Sequence, residues 1–374
     1  MRIGLVVTGG FDRSARERVT PSLLWLVERL ARRHDVHVFV LHYYPESCSY
    51  PLLGAMVHDL GRVEGPRGLG RGRQRRRLSS AIATHGPLDL IHAYQGMPSI
   101  VSAPIARRQG VPLVATLDSG EFTALDDIAY GLQRRWFDRR SVSFVLRSAA
   151  RVTVTTDYME ARLHDAAAGV RADVVALGID ARAFPPVVRV DGPPWRLLRV
   201  ASINTVKDYP TLLRAIAHLA DSGLDIHLDI VGDDTMNGTA QATTRELGLA
   251  SRVTFHGFQP TDRLTNFYAR AHLHVVSSRH EAAGVVVLEA AATGLATAGT
   301  AVGYVADWHG DRAVAVPTQD HVALAGAIAD LLQNRDKRER IAARAREWTL
   351  AHDADWTAER LEEIYSSISV VRRS

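Results

Sequence analysis

Leu273-His-Val-Val-Ser277-Ser-Arg-His-Glu281-Ala-Ala-Gly284-Val285-Val-Val-Leu-Glu289 decides the reading of this chain. The apolar run Leu273 to Ser277 has the character of a buried strand. A small-residue helical pattern runs from about Gly284 to Thr293 and stops at Gly294. Between them lies a short loop, with one acid in the loop and one two turns into the helix. The first amides of a helix lack intrahelical partners, and the helix dipole puts partial positive charge there, so an anion can rest on them. Gly284 lets that anion approach the backbone at Val285. Glu281 and Glu289 can then accept hydroxyl hydrogen bonds on either side, one from a sugar and one from a ribose. The arrangement fits a nucleotide diphosphate sugar.

Outward from this stretch, strands alternate with helices. The strand-like runs are Arg2–Val7, Val36–His42, Leu88–Ala93, Val111–Thr116, Ala150–Thr155 and Val174–Ala176. A second set follows: Leu197–Ala201, Ile226–Val231, Val253–His256, Leu273–Ser277 and Leu295–Ala298. Helical periodicity fills the intervals, so the expected class is α/β with parallel sheets. The pattern restarts after Phe184-Pro-Pro186 and Gly192-Pro-Pro194, prolines that suit neither helix nor sheet interior. This predicts one domain over residues 1–186, a second over 187–352, and a C-terminal segment, 353–374, holding an amphipathic helix with Trp356, Leu361 and Tyr365. Ligands of such sheets bind beyond the carboxyl ends of the strands.

The residues Ser277 to Gly303, including Ala290-Ala-Ala-Thr-Gly294-Leu-Ala-Thr and Gly299-Thr-Ala-Val-Gly303, resemble the E-x7-E signature of retaining glycosyltransferases of the family called GT4 (group 1). The resemblance implies the GT-B fold, two facing doubly wound Rossmann-like domains with a cleft between them. It also implies transfer of a sugar, with retained anomeric configuration, from a nucleotide diphosphate sugar to a hydroxyl acceptor. The C-terminal helix would cross back to the N-terminal domain. Ser202-Ile-Asn204-Thr-Val-Lys207 resembles the segment carrying a phosphate-binding lysine; the family usually has Arg five residues before it, where this chain has Ser202. One positive charge then stands where two are typical. Val231-Gly232-Asp233-Asp234 resembles the glycine loop after a strand. Phe258, in His256-Gly257-Phe258, would border the nucleobase or serve as a core phenylalanine. Gly9-Gly10 resembles the glycine-rich loop near donor phosphate and acceptor. The family often has His where this chain has Asp118.

Acceptor-side candidates are His92, at the end of its strand, Asp118 and Glu121; the two acids can bind acceptor hydroxyls or a basic acceptor group, or act as caps and core polar groups. Lys207 is one of two lysines, with Lys337, among 45 basic residues, and sits in a loop at a strand's carboxyl end. It can meet a diphosphate or be a solvated loop lysine. Asp233-Asp234-Thr235 lacks D-x-D spacing and no histidine grouping suits a metal, so neither metal nor cofactor is expected. The single cysteine, Cys48, excludes an internal disulfide, and no apolar run reaches the ~20 residues a membrane span needs. A cytoplasmic protein is expected.

Charge is uneven. Residues 1–190 hold 26 Arg against 18 acids, net +8, and the rest 19 basic against 23 acidic residues, net −4. The runs Arg62–Arg77 and Arg134–Arg151 supply most of the excess. Such a half can meet an anionic membrane surface or a phosphorylated acceptor, or be a solvated arginine face. The Arg62–Arg77 run has no interleaved aromatics, and nucleic acid is not expected as a partner. Two alternatives stay open: a GT-B protein that binds a nucleotide without turnover, and another GT-B activity such as a nucleotide-sugar epimerase.

Overall fold

The computed structural model describes residues 1–62 and 70–371. Arg67, inside the Arg62–Arg77 run, and residues 372–374 lie outside the described residues. The chain forms two compact units, one of residues 1–177 with the C-terminal segment from Ala354, the other Gly178–Asp353. The expected boundary after residue 186 therefore falls inside the second unit. The reason is packing: a Cβ on Gly178 would lie 2.3 Å from the Asp353 backbone, and Phe184 is wholly buried with its ring edge-on to Tyr268 at 5.9 Å.

The first unit is built on eight strands: β1 (Arg2–Val7), β2 (Asp35–Val40), β3 (Cys48–Leu52), β4 (Ala55–Asp59), β5 (Leu90–Tyr94), β6 (Leu113–Thr116), β7 (Arg151–Val154) and β8 (Asp173–Val174). Their order is β3-β4-β2-β1-β5-β6-β7-β8. All neighbours are parallel except β3, which runs antiparallel to β4 at the sheet edge. The β3–β4 hairpin is absent from the sequence reading. Pro51 suits an edge and breaks the apolar pattern by which the other strands were legible. Helices α1 (Pro21–Leu30), α2 (Gly70–His85), α3 (Gly96–Gln109), α4 (Trp136–Ser148) and α5 (Asp157–Ala166) flank the sheet.

The second unit has β9 (Trp195–Val200), β10 (Ile226–Val231), β11 (Val253–Phe255), β12 (Leu273–Val276), β13 (Thr297–Thr300) and β14 (Val314–Val316), all parallel, in the order β11-β10-β9-β12-β13-β14. Around them run α6 (Tyr209–Asp221), α7 (Thr239–Glu246), α8 (Thr261–Arg270), α9 (Val286–Ala292), α10 (Gly303–Asp307), α11 (His321–Gln333) and α12 (Arg335–Ala351). The core joins Leu197, Leu228, Leu273 and Val275 of the sheet to Leu212, Ile216 and Ile328 of the helices. Helix α12 carries its core contacts under a charged surface pattern. Its buried stripe, Arg338, Ile341, Ala342, Ala345 and Thr349, is narrow and partly polar, so charged residues dominate the pattern.

The last helix, α13 (Ala354–Val371), packs in the first unit. Arg29 Nε lies 2.7 Å from Asp355 Oδ1, Arg33 Nη1 lies 2.7 Å from Glu362 Oε2, and the Tyr365 hydroxyl lies 2.6 Å from His92 Nδ1.

Candidate active site

The strand order of the second unit reverses between β9 and β12, the switch point where α/β sheets open a crevice beyond their carboxyl ends. The loops leaving β9 and β12 meet there. Asn204 Oδ1 accepts the amides of Val206 (3.1 Å) and Lys207 (3.2 Å), closing the single 3-10 turn Thr205–Lys207. Asp208 then takes a left-handed conformation (φ 48°) and its carboxylate caps α6 through the amide and hydroxyl of Thr211. From the other loop, the Ser277 hydroxyl donates to the Lys207 carbonyl (2.8 Å) and the Arg279 amide to that of Val206 (2.8 Å). The backbone at Lys207 is thus held from both sides.

The result is an ion pair. Lys207 Nζ lies 2.6 Å from Glu281 Oε1. The same oxygen accepts the Ser278 hydroxyl at 2.6 Å. Arg199 of β9, entirely buried, donates from Nη2 to that hydroxyl at 2.7 Å and lies 3.9 Å from Glu281 Oε1. Burial pushes the Glu281 carboxyl up, but Lys207 and then Arg199 outweigh it and hold the group below the ordinary glutamate range. Glu281 is an ionised carboxylate with two cations around it.

Gly284 sits in the left-handed region (φ 78°), a turn only glycine makes without strain. Helix α9 begins at Val286, later than the expected start at Gly284. The amides of Gly284, Val285 and Val286 donate to no protein acceptor among the described residues. Glu289 faces inward: it is 5% exposed, and the Tyr268 hydroxyl of α8 donates to its Oε2 at 2.7 Å. Burial raises its carboxyl to about 7, the tyrosine bond opposing. Gly232 (φ 150°) closes the loop after β10, where a Cβ would lie 2.0 Å from the Ala201 carbonyl. Ser202 accepts from Asn204 Nδ2 at 3.1 Å. Phe258 is 38% exposed, so the core alternative for it is excluded.

In the first unit the order reverses between β1 and β5. A pocket of about 430 Å³ opens there, its lining including Thr8, Gln95, Gly96, Glu121, Arg134 and Arg135. The Glu121 carboxylate accepts the amides of Gly96 (2.5 Å) and Ser119 (2.7 Å), while burial raises its pKa. Asp118 Oδ1 is buried and unpartnered; burial, then the Glu121 charge, pushes the Asp118 carboxyl up to about 8. Gly10 (φ 83°) accepts the Thr20 amide at its carbonyl at 3.0 Å, which closes the 10–20 loop ahead of α1. His92 corrects the sequence expectation. It is mid-strand and fully buried, with Nδ1 against Tyr365 and Nε2 2.7 Å from the Thr116 hydroxyl, and burial lowers its pKa to about 3. Both ring nitrogens are occupied, so it presents nothing to a ligand.

Sequence reasoning missed Arg199, Ser278 and Tyr268. An arginine amid Trp195-Arg-Leu-Leu-Arg-Val200, an otherwise buried parallel strand, was the available signal, because a charge there requires a partner.

Two doubly wound units with a charged site at a strand-order reversal define a nucleotide-handling α/β protein of GT-B architecture. The chain matches the family described as Glycosyl transferases group 1 over residues 180–348 and the Glycosyl transferase 4-like domain over 19–166. It is 31% identical over 317 residues to a D-inositol 3-phosphate glycosyltransferase of Mycolicibacterium smegmatis, a match covering 74% of this chain and 69% of that one. The enzyme of the same name from Mycolicibacterium gilvum is 32% identical over 252 residues, and there the match spans about half of the relative, 54%. Among solved structures, sucrose-phosphate synthase from Thermosynechococcus elongatus superposes with a TM-score of 0.84 at 21% identity, over 99% of this chain and 100% of that one. Anabaena HepE in complex with UDP and glucose gives 0.73 at 17%, over 98% and 100%. The chain belongs to the group 1 (GT4) glycosyltransferases.

Proposed function

We propose that the second unit binds a nucleotide diphosphate sugar and that the sugar passes to a hydroxyl acceptor held by the first unit, with retention of configuration. The observation that carries this is the Lys207–Glu281 ion pair at the β9–β12 switch point, beside three unoccupied amides. Lys207 and the Gly284 and Val285 amides serve the diphosphate, Glu281 the sugar hydroxyls and Glu289 the ribose. Barrier lowering then comes from stabilising charge that grows on the leaving diphosphate in a water-poor site. In a front-face reaction the bond from the anomeric carbon to the diphosphate oxygen breaks as the acceptor oxygen bonds on the same face. The leaving phosphate oxygen takes the acceptor proton. No protein general base is required. The structural relatives determined with UDP or UDP-glucose support such a donor.

Arg134 and Arg135 in the first unit's pocket suit an acceptor bearing an anionic group, in keeping with relatives named for inositol 3-phosphate. The decisive experiment is nucleotide release from UDP-, GDP- and dTDP-sugars with polyol and polyol-phosphate acceptors. Release that depends on acceptor and forms a retained glycoside supports the reading. Binding without turnover for any pair would favour the non-catalytic alternative.

A second, separate observation concerns membranes. No helix among the described residues is long and apolar enough to cross one. Yet Trp136 is 64% and Phe137 43% exposed, with Arg140 and Arg71 each 5.8 Å over one of these rings. Basic residues near an anionic surface contribute roughly 1 kcal/mol each. We expect salt-sensitive sedimentation with anionic liposomes; partitioning equal on neutral liposomes would overturn it.

A further inference from the structure

Arg199 is the buried group that this chemistry leaves unassigned. Its residue is 0% exposed, in the centre of a parallel sheet where an unpaired charge is costly. Among the described residues the carboxylate within ion-pair reach is that of Glu281, at 3.9 Å. The remaining contacts are the Ser278 hydroxyl at 2.7 Å and the Val275 carbonyl at 3.4 Å, and Nε has no partner. The Tyr209 hydroxyl lies beside the guanidinium and donates to the Ala201 carbonyl. An arginine on a strand, locked on three sides, cannot leave. Lys207, 21% exposed on a loop turn, can. The two cations therefore differ in mobility although they serve one oxygen.

Glu281 and a donor diphosphate compete for Lys207. If Lys207 were the sole counter-charge of Glu281, every shift toward phosphate would leave a carboxylate unpaired in a mostly buried site. We propose that Arg199 is the fixed counter-ion of Glu281, acting partly through Ser278, and that it frees Lys207 to engage the donor diphosphate. Arg199 is a positioning residue in this scheme and touches no substrate. It also answers the serine at position 202: the second positive charge of the site comes from the strand interior, three residues earlier, and works on the carboxylate instead of the phosphate.

The inference rests on the donor reading above, and its test separates the two. Affinities for UDP and uridine, with GDP and guanosine in parallel, are measured by calorimetry at pH 8 in the full chain. The wild type should prefer diphosphate to nucleoside. Arg199→Met should lose about tenfold in diphosphate affinity with nucleoside affinity unchanged, because Lys207 stays on Glu281. Glu281→Gln placed in the Arg199→Met background should restore most of the loss by removing the competitor, and Arg199→Lys should lose less than Arg199→Met. Ser278→Ala keeps the guanidinium and cuts the bridge, with an expected loss of about threefold; it decides the matter if Arg199→Met does not fold. Diphosphate affinity within twofold of wild type in both Arg199→Met and Ser278→Ala overturns the inference. So does equal loss of both ligands that Glu281→Gln fails to repair, the mark of a purely packing role. A wild type with no preference for diphosphate overturns the donor reading itself.

Discussion

Beyond β9 and β12, Glu281 has Lys207 at 2.6 Å and Arg199 at 3.9 Å; beyond β5 and β6, Asp118 and Glu121 have no cation within ion-pair reach among the described residues. Both sites occupy the carboxyl ends of parallel strands. In the first unit the carboxylates rest on backbone amides or on nothing, and burial pushes Asp118 up to about 8. In the second the carboxyl is held low by paired charge. Burial raises an acid's pKa and neighbouring cations lower it, and which wins turns on one or two arginines and lysines a few ångströms away. A site that must release a cation to an incoming diphosphate needs spare positive charge. A site for neutral hydroxyls can use an acid that is protonated near neutrality and both donates and accepts.

The comparison breaks most visibly if its cation is removed. Lys207→Ala should weaken nucleoside diphosphate binding by ~1.5–3 kcal/mol, the range of a charge-assisted bond, and leave nucleoside binding alone. Calorimetry decides; unchanged diphosphate affinity means that the loop after β9 does not serve the donor. Next, Glu281→Gln should lower turnover at least about tenfold, ~1.4 kcal/mol, measured as nucleotide release by a folded variant. Near-wild-type turnover would remove Glu281 from the donor site.

On the other side of the comparison, Asp118 has a folded pKa raised from 3.8 to about 8. The native state therefore holds its proton more tightly than the unfolded chain. Its contribution is fully present below about pH 4 and declines as pH rises toward 8. Asp118→Asn carries no such titration. The stability of the variant relative to wild type should rise by roughly 1.3 kcal/mol between pH 6 and 7, just below the ~1.4 kcal/mol per pH unit that one proton allows. Denaturant melts at the two pH values test this, and a constant difference would show that Asp118 is ionised throughout. The smallest effect concerns Glu289, raised to about 7. Ionised, it accepts two ribose hydroxyls; protonated, it accepts less well. Nucleoside affinity should rise about fivefold from pH 6 to 8 and stay flat in Glu289→Gln. A pH-independent wild type would place the ribose elsewhere.

Much of the proposed donor side was legible as local pattern. The apolar run at Leu273, the glycine at 284 and the acids at 281 and 289 are spaced along one strand, loop and helix, and short-range geometry carries that spacing into the fold. The lysine at 207 was legible because it follows a strand and opens a helix. Harder to read were pieces whose roles depend on partners far along the chain. Arg199 meets Ser278, and Tyr268 meets Glu289, across strand neighbours set by the sheet order. Asn204 lies in the segment that resembles the phosphate-binding one, yet its amide oxygen is spent on the turn that presents Lys207. His92 reads as a strand end; α13 returns from the far end of the chain and buries it under Tyr365.

By itself, then, the sequence determined the class of fold, the restart of the pattern into a second unit and the strand–loop–helix segment bearing Glu281, since hydrophobic periodicity and glycine placement act over a few residues. Only the tertiary structure decided which carboxylates are ionised and which cations hold them. Those outcomes depend on burial and on short distances, such as the 2.6 Å from Lys207 and 3.9 Å from Arg199 to Glu281, between groups far apart along the chain, and no local pattern encodes such distances.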